Sequence, residues 1–238
     1  VTPFLFSLTL SYDPLIAPSI SIYPLRGSAI DIHPNGRWQQ NGFTVAGGTG
    51  RGNEINQLSY PKGLYADDDQ TIYVADTDNH RIMEWKVGTT SDQVVTGGNG
   101  QGSGNGSGNR LDQLNRPTYV FVDRDQSVYV SDSWNHCVMK WMEGATQGVV
   151  VAGDQGEGNG LTQLSFHQGV VVHQLGTAYV TDYWNHRITR WPKEATQGSV
   201  IVGGNDDGEQ SNQLYYLYGL SFDRHGNLCV VDYGNHRV

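Results

Sequence analysis

Four histidines recur in one short motif. His80, His136, His186 and His236 each follow an asparagine and stand four residues after an aspartate. An imidazole beside a carboxylate suggests either a metal site or a general acid–base pair. Zinc needs three or four ligands converging near ~2.0–2.1 Å. One histidine per repeat, each on a separate unit, converges only if the side chains reach a common axis. No metal and no catalytic residue are therefore assigned. The aspartates Asp76, Asp132, Asp182 and Asp232 and the asparagines Asn79, Asn135, Asn185 and Asn235 read as structural turn residues. Short Asp and Asn side chains bond nearby backbone N–H groups, and Asn tolerates left-handed backbone. Trp134 and Trp184 lie inside two of these turns. Aromatic side chains on loops are typical anchors for a partner, so with the four histidines they form the candidate partner-binding rim.

Other chemistry finds less support. His173 and His225 lie near the ends of inner strands, within reach of a central channel. Asp154-Gln-Gly-Glu157 and Asp206-Asp-Gly-Glu209 offer oxygens to calcium, but two to four ligands in one loop are too few. There is no His-Glu-x-x-His, Gly-x-Ser-x-Gly or Cys-x-x-Cys motif. No lysine follows a glycine, and the Gly-rich loops open no helix, so a phosphate cradle lacks its context and no cofactor is expected. Cys137 and Cys229 fall in non-adjacent units, which predicts no disulfide.

The elements that position these residues come from an internal repeat. Tyr73-Val-Ala-Asp-Thr-Asp-Asn-His-Arg-Ile-Met-Glu-Trp85 aligns without gaps with Tyr129–Trp141 and Tyr179–Trp191, and a fourth copy runs from Cys229 to Val238. The aspartates fall in steps of 56, 50 and 50 residues, and Leu58, Leu114, Leu164 and Leu214 keep the same steps. The six extra residues of the first step lie in a Gly/Ser/Asn stretch, as an exposed loop would. Each unit reads as four short strands. Runs such as Val170-Val-Val-Val-His173 are apolar at consecutive positions, which places them in a sheet covered on both faces. Four-stranded units every ~50 residues, each packed between two others, describe the blades of an all-β propeller. Tyr73, Tyr129 and Tyr179 at one position, and Trp85, Trp141 and Trp191 at another, are expected to cement blade to blade.

Composition narrows the functions. The chain has 238 residues with Gly 31, charged residues 16% and net charge −9, which suits a turn-rich β fold and disfavours nucleic acid as partner. No run approaches the ~18–20 apolar residues of a membrane-spanning helix. Asn105-Gly-Ser107 matches a glycosylation acceptor, and with the apolar N-terminal stretch it points to an extracellular location.

At the Asp-x-x-Asn-His-Arg-Ile/Val core the sequence resembles the NHL-repeat family. The resemblance covers about residues 36–238 and implies a propeller, usually of six blades, of which four repeats are visible. Residues 1–35 read as a non-repeat lead-in. The blades are expected at 59–98, 115–154, 165–204 and 215–238, with 43–48 as a candidate closing strand. Cys137 departs from the pattern, standing where Arg81, Arg187 and Arg237 stand in the other copies. The family implies a non-catalytic scaffold that binds a protein, peptide or glycan on the rim. Its alternatives are a metal-dependent lyase or lactonase using the channel, or an RNA-binding propeller like those attached to ubiquitin ligases.

Overall fold

The computed structural model describes residues 44–86, 92–99, 110–223 and 225–238. Among them it is all-β, apart from short 3-10 turns. The first sheet holds β1 (Pro61–Ala66), β2 (Thr71–Asp76), β3 (Arg81–Lys86) and β4 (Asp92–Gly97). The second holds β5 (Tyr119–Val122), β6 (Val128–Asp132), β7 (Cys137–Trp141) and β8 (Val149–Gly153), and the third β9 (Val170–Val172), β10 (Ala178–Asp182), β11 (Arg187–Trp191) and β12 (Ser199–Gly203). β13 (Leu217–Phe222) and β14 (Leu228–Asp232) form a two-stranded fourth sheet. Every sheet is an antiparallel meander in sequence order.

The consecutive apolar runs have both faces covered, as their pattern requires. All of β6 and all of β9 are buried. The core lies between sheets. Tyr73, Ala75 and Ile82 of the first sheet pack with Val120, Val122, Val128, Val130 and Trp141 of the second. Tyr129 and Val138 meet Val170, Val180 and Trp191 of the third, and Ile188 meets Leu217 of the fourth. Leu114 and Leu164, both fully buried, plug the seams ahead of the second and third sheets. Each large side chain so buried contributes roughly 1.5–3 kcal/mol, which no single sheet would collect alone.

Residues 44–48 form no strand, and Ala46 packs with Leu58 against Val74, Met83 and Trp85 of the first sheet. Phe43, Asn105-Gly-Ser107 and the 1–35 lead-in lie outside the described residues. Beyond the fourth turn, Arg237 makes a single antiparallel bridge to Asp232. No helix among the described residues is long and apolar enough to cross a membrane.

Candidate functional site

Each middle hairpin turns the same way. β2 ends at Asp76, Thr77–Asn79 make one 3-10 turn, and His80 re-enters the sheet at φ 54 and ψ 41. His136, His186 and His236 take the same left-handed conformation at φ 54, 48 and 56. The sequence pointed to asparagine for that role. Histidine fills it instead, at a strain of order 1–3 kcal/mol that other contacts must offset. The glycine closing the outer strand is fixed by this turn. At Gly97, Gly153 and Gly203, φ is 76, 79 and 78, and a Cβ would run into the carbonyl oxygen of His80, His136 and His186.

The aspartates act across the chain as well as within their own turn. The Oδ1 of Asp76, Asp132, Asp182 and Asp232 accepts the backbone N–H of Ser59, Asn115, Ser165 and Tyr215, each at 2.7 Å. Oδ2 accepts Nδ2 of the asparagine three residues on, at 2.8–2.9 Å. In three repeats it also accepts Nε of Arg81, Arg187 or Arg237, at 2.8, 2.7 and 2.7 Å. The rest of the guanidinium gathers loop carbonyls. Arg187 donates to Asn159, Gly160 and Gln163 at 2.6, 3.0 and 3.2 Å, while Asn185 donates to Gly158 at 2.8 Å. The motif thus staples the Gly-rich loop to the turn and brings both connection types to one rim. The local turn geometry expected of these residues occurs at the opposite rim, where Asp67, Asp123 and Asp223 each accept the N–H groups two and four residues on.

The histidines join sheet to sheet. Nδ1 of His80, His136 and His186 accepts the backbone N–H of Arg116, Phe166 and Tyr216, at 3.0, 3.4 and 3.2 Å. An accepting Nδ1 puts the proton of the neutral ring on Nε2. Burial lowers the pKa of all three and favours that neutral form. Thr77 and Thr181 add a second link, each donating its hydroxyl to the next unit, at Pro117 (2.8 Å) and Tyr218 (2.7 Å). The histidines lie at the rim of these turns, and in three repeats one ring nitrogen is committed to the neighbouring sheet. His236 is exposed.

What faces outward is a string of side chains from the turns and the loops beside them. Arg51 sits 4.3 Å over the Tyr60 ring and pairs with Asp78, which also pairs with Arg116 at 2.7 Å. Arg116 lies 4.9 Å over Trp134, Trp134 meets Phe166 edge-on at 6.0 Å, and Phe166 meets Trp184 at 5.8 Å. Trp134 and Trp184 are 44% and 57% exposed. Farther on, Tyr216 stacks on Tyr183 at 4.9 Å and on Tyr215 at 4.2 Å. The two tryptophans were legible from sequence. Arg116, Phe166 and Tyr216 were not singled out, although each stands two residues after the repeat leucine, as does Tyr60.

The second repeat departs from its siblings. Cys137 is 3% exposed and supplies no cation. Asp132 keeps the bonds from Asn115 and Asn135, and burial raises its pKa to about 7. The Asn135 Oδ1 is buried without a partner. The adjoining His167 stands where Pro61, Pro117 and Leu217 stand in the other copies. It is fully buried, its ring nitrogens lie near the Cys137 backbone without reaching hydrogen-bond geometry, and burial lowers its pKa to about 3.

The remaining candidates are scattered. His173 and His225 occupy the tight turns of the opposite rim, where Nδ1 of His173 accepts the Leu175 N–H at 3.4 Å and His225 lies 3.7 Å from Asp223. Glu157 accepts the Ser165 hydroxyl at 3.0 Å. No group of three His, Cys, Asp or Glu placed to hold a metal occurs among the described residues. Cys137 is buried, Cys229 exposed, and both are thiols.

This turn-and-staple unit has a family. The NHL repeat model matches residues 58–83 and 168–191, two of the four copies. Those two copies are NHL repeats. Solved structures resemble it as propellers. An auxiliary nutrient binding protein from Bacteroides thetaiotaomicron superposes with a TM-score of 0.57 at 12% identity, covering 77% of this chain and 48% of that one. A chain of a nidogen/laminin complex gives 0.54 at 22% identity, covering 74% and 58%. A catalytically inactive virginiamycin B lyase from Staphylococcus aureus, with quinupristin, gives 0.51 at 12%, covering 76% and 51%. At these identities the likeness is one of fold. The chain spans about half the length of the structures it resembles. No curated protein matches its sequence.

Proposed function

We propose that this NHL-repeat chain is a non-catalytic binding scaffold that takes a protein, peptide or glycan on the rim of its Asn-His turns. The observation that carries the reading is the division of labour there. Asp, Asn, Arg and His are spent on holding loop to turn and sheet to sheet, whereas Trp134 and Trp184 stand exposed on the rigid frame so made. Large aromatics on a rigid frame bind with little loss of side-chain freedom, which suits them as anchors. The nutrient-binding protein and the nidogen/laminin complex are propellers whose names state binding, which fits this use of the fold. Within a six-bladed ring, the size the repeat family implies, these four repeats form an arc of that rim.

The test compares the chain with a Trp134→Ala/Trp184→Ala double variant whose thermal unfolding matches wild type. Capture of a partner from an extract of the source cells, lost in the variant, supports the reading. Equal capture by both overturns it. So does stoichiometric zinc or calcium that leaves together with an enzymatic activity.

A further inference from the structure

The rim string changes its chemistry half-way along. Arg51, Glu157 and Asp207 occupy one repeat position, each bridging the leucine seven residues on, at Leu58, Leu164 and Leu214. In the first unit that position carries a cation, and Arg51 covers the Tyr60 ring. In the third and fourth it carries exposed carboxylates. Asp207 lies close enough to His186 and Tyr215 to act on both electrostatically, and Glu157 does the same to His136. Two residues after the leucine, Tyr60 in the first unit lies under Arg51 and Arg116 in the second covers Trp134, while Phe166 and Tyr216 in the third and fourth are aromatic. One half of the rim therefore provides its own guanidinium for each ring. The other offers rings and carboxylates, and among the described residues no arginine is seated over Trp184.

Resting on the reading of this rim as a binding surface, we propose that the half formed by Glu157, Phe166, Trp184, Asp207 and Tyr216 docks a cationic peptide segment. Its arginine or lysine side chains lie over Trp184 and beside the two carboxylates. On this rim the molecule itself seats arginine over a ring at Tyr60 and at Trp134, with guanidinium carbons 4.3 and 4.9 Å from the ring centroids. A cation over an indole face gains both from the ring quadrupole and from the neighbouring negative charge. The net charge of −9 steers such a segment inward, and the exposed carboxylates select it over an acidic or neutral one.

The probe is a fluorescein-labelled nonapeptide of alternating arginine and serine, followed by anisotropy at physiological salt. Its counterpart carries neutral citrulline at every arginine. The arginine peptide is expected to bind and the citrulline peptide to bind at least tenfold more weakly. Trp184→Ala should weaken the arginine peptide roughly three- to thirtyfold. Glu157→Gln/Asp207→Asn should weaken it more than Asp125→Asn/Glu143→Gln, which removes the same charge from the opposite rim. Absent binding, equal binding of both peptides, or equal loss in the two charge variants overturns the proposal. The wider rim reading is judged separately. A citrulline peptide that binds as well and still depends on Trp184 would sink the cationic partner and leave the aromatic anchor standing.

Discussion

The second and third repeats make one turn with two different endings. Asp132 and Asp182 each accept a backbone N–H 17 residues upstream and an asparagine amide three residues on, with matching distances. In the third repeat Arg187 completes the set and ties three loop carbonyls to the carboxylate. In the second, Cys137 ends it and Asp132 is buried with no cation. The backbone path is nonetheless the same, with His136 and His186 at φ 54 and 48. The aspartate–amide bonds, the left-handed histidine and the closing glycine are thus enough to set the turn. The arginine adds loop anchoring and offsets part of the burial that raises the Asp182 pKa.

The strongest way to break the comparison is to remove the arginine where it exists. Arg187→Ala leaves the buried Asp182 without its cation and frees three carbonyls. Breaking one side of a buried ion pair typically costs about 3–5 kcal/mol. Cys137→Ala removes a small thiol at the same position and should cost roughly 1 kcal/mol. Urea unfolding of the two variants side by side measures the gap. Equal midpoints would mean that the guanidinium staple contributes nothing beyond what Cys137 does.

The next effect is one of pH. A carboxyl whose folded pKa stands near 7, above its unfolded value of about 3.9, stabilises the fold below that unfolded value. The contribution is lost as pH rises toward and through about 7, at up to roughly 1.4 kcal/mol per pH unit. The imidazoles of His80, His136 and His186 act oppositely. Their folded pKa values are lowered, so their contribution is full above the ordinary histidine value and is lost as pH falls below it, toward the lowered values. Asp132→Asn separates the two. Its amide can keep the Asn115 bond, and Asn135 can turn its unpartnered Oδ1 toward the new amide. The variant should match or exceed wild-type stability at pH 8, lose its advantage near pH 4 and retain the histidine dependence. A wild-type profile unchanged by Asp132→Asn would refute the buried anion.

A smaller gain is expected at His167. Leu217 fills the same position in the fourth repeat, fully buried against Ile188 and Leu214. His167→Leu removes two buried ring nitrogens that make no good hydrogen bond and supplies apolar volume of similar size. The urea midpoint should rise by the equivalent of about 1 kcal/mol. A fall would show that the ring is satisfied in a way the geometry does not reveal.

The spacing of aspartates, leucines and tryptophans made the sheets and their packing legible, because each repeat is a local pattern whose burial shows in its apolar runs. Trp134 and Trp184 were legible as exposed because they break that pattern inside a turn. The Oδ1 partners of Asp76, Asp132, Asp182 and Asp232 were hidden. They are backbone groups in a neighbouring loop, and backbone leaves no mark in residue identity. Phe166 and Tyr216 escaped notice for a related reason. Their position holds Tyr, Arg, Phe and Tyr in turn, so no single residue type announces it. The inter-sheet role of the histidines needed the left-handed turn to be seen first, since that conformation aims Nδ1 at the next unit.

The finest test uses the two thiols as reporters on either side of the comparison. Cys229 is exposed, whereas Cys137 is buried beside Asp132, and burial raises its thiol pKa well above the ordinary value. The thiolate is the reactive species, so Cys229 should react with an aromatic disulfide reagent at once. Cys137 should react only when the second unit opens. Its rate, read in native buffer, then measures the local opening free energy of the one repeat that lacks its arginine. Placing a cysteine at the buried residue next to Arg187 in the third repeat, Ile188→Cys, reports on a unit that keeps its arginine. The Cys137 signal should be faster. Equal rates would show that the two units open together, and that the staple's contribution is shared across the sheet-to-sheet joint formed by His136 and Phe166.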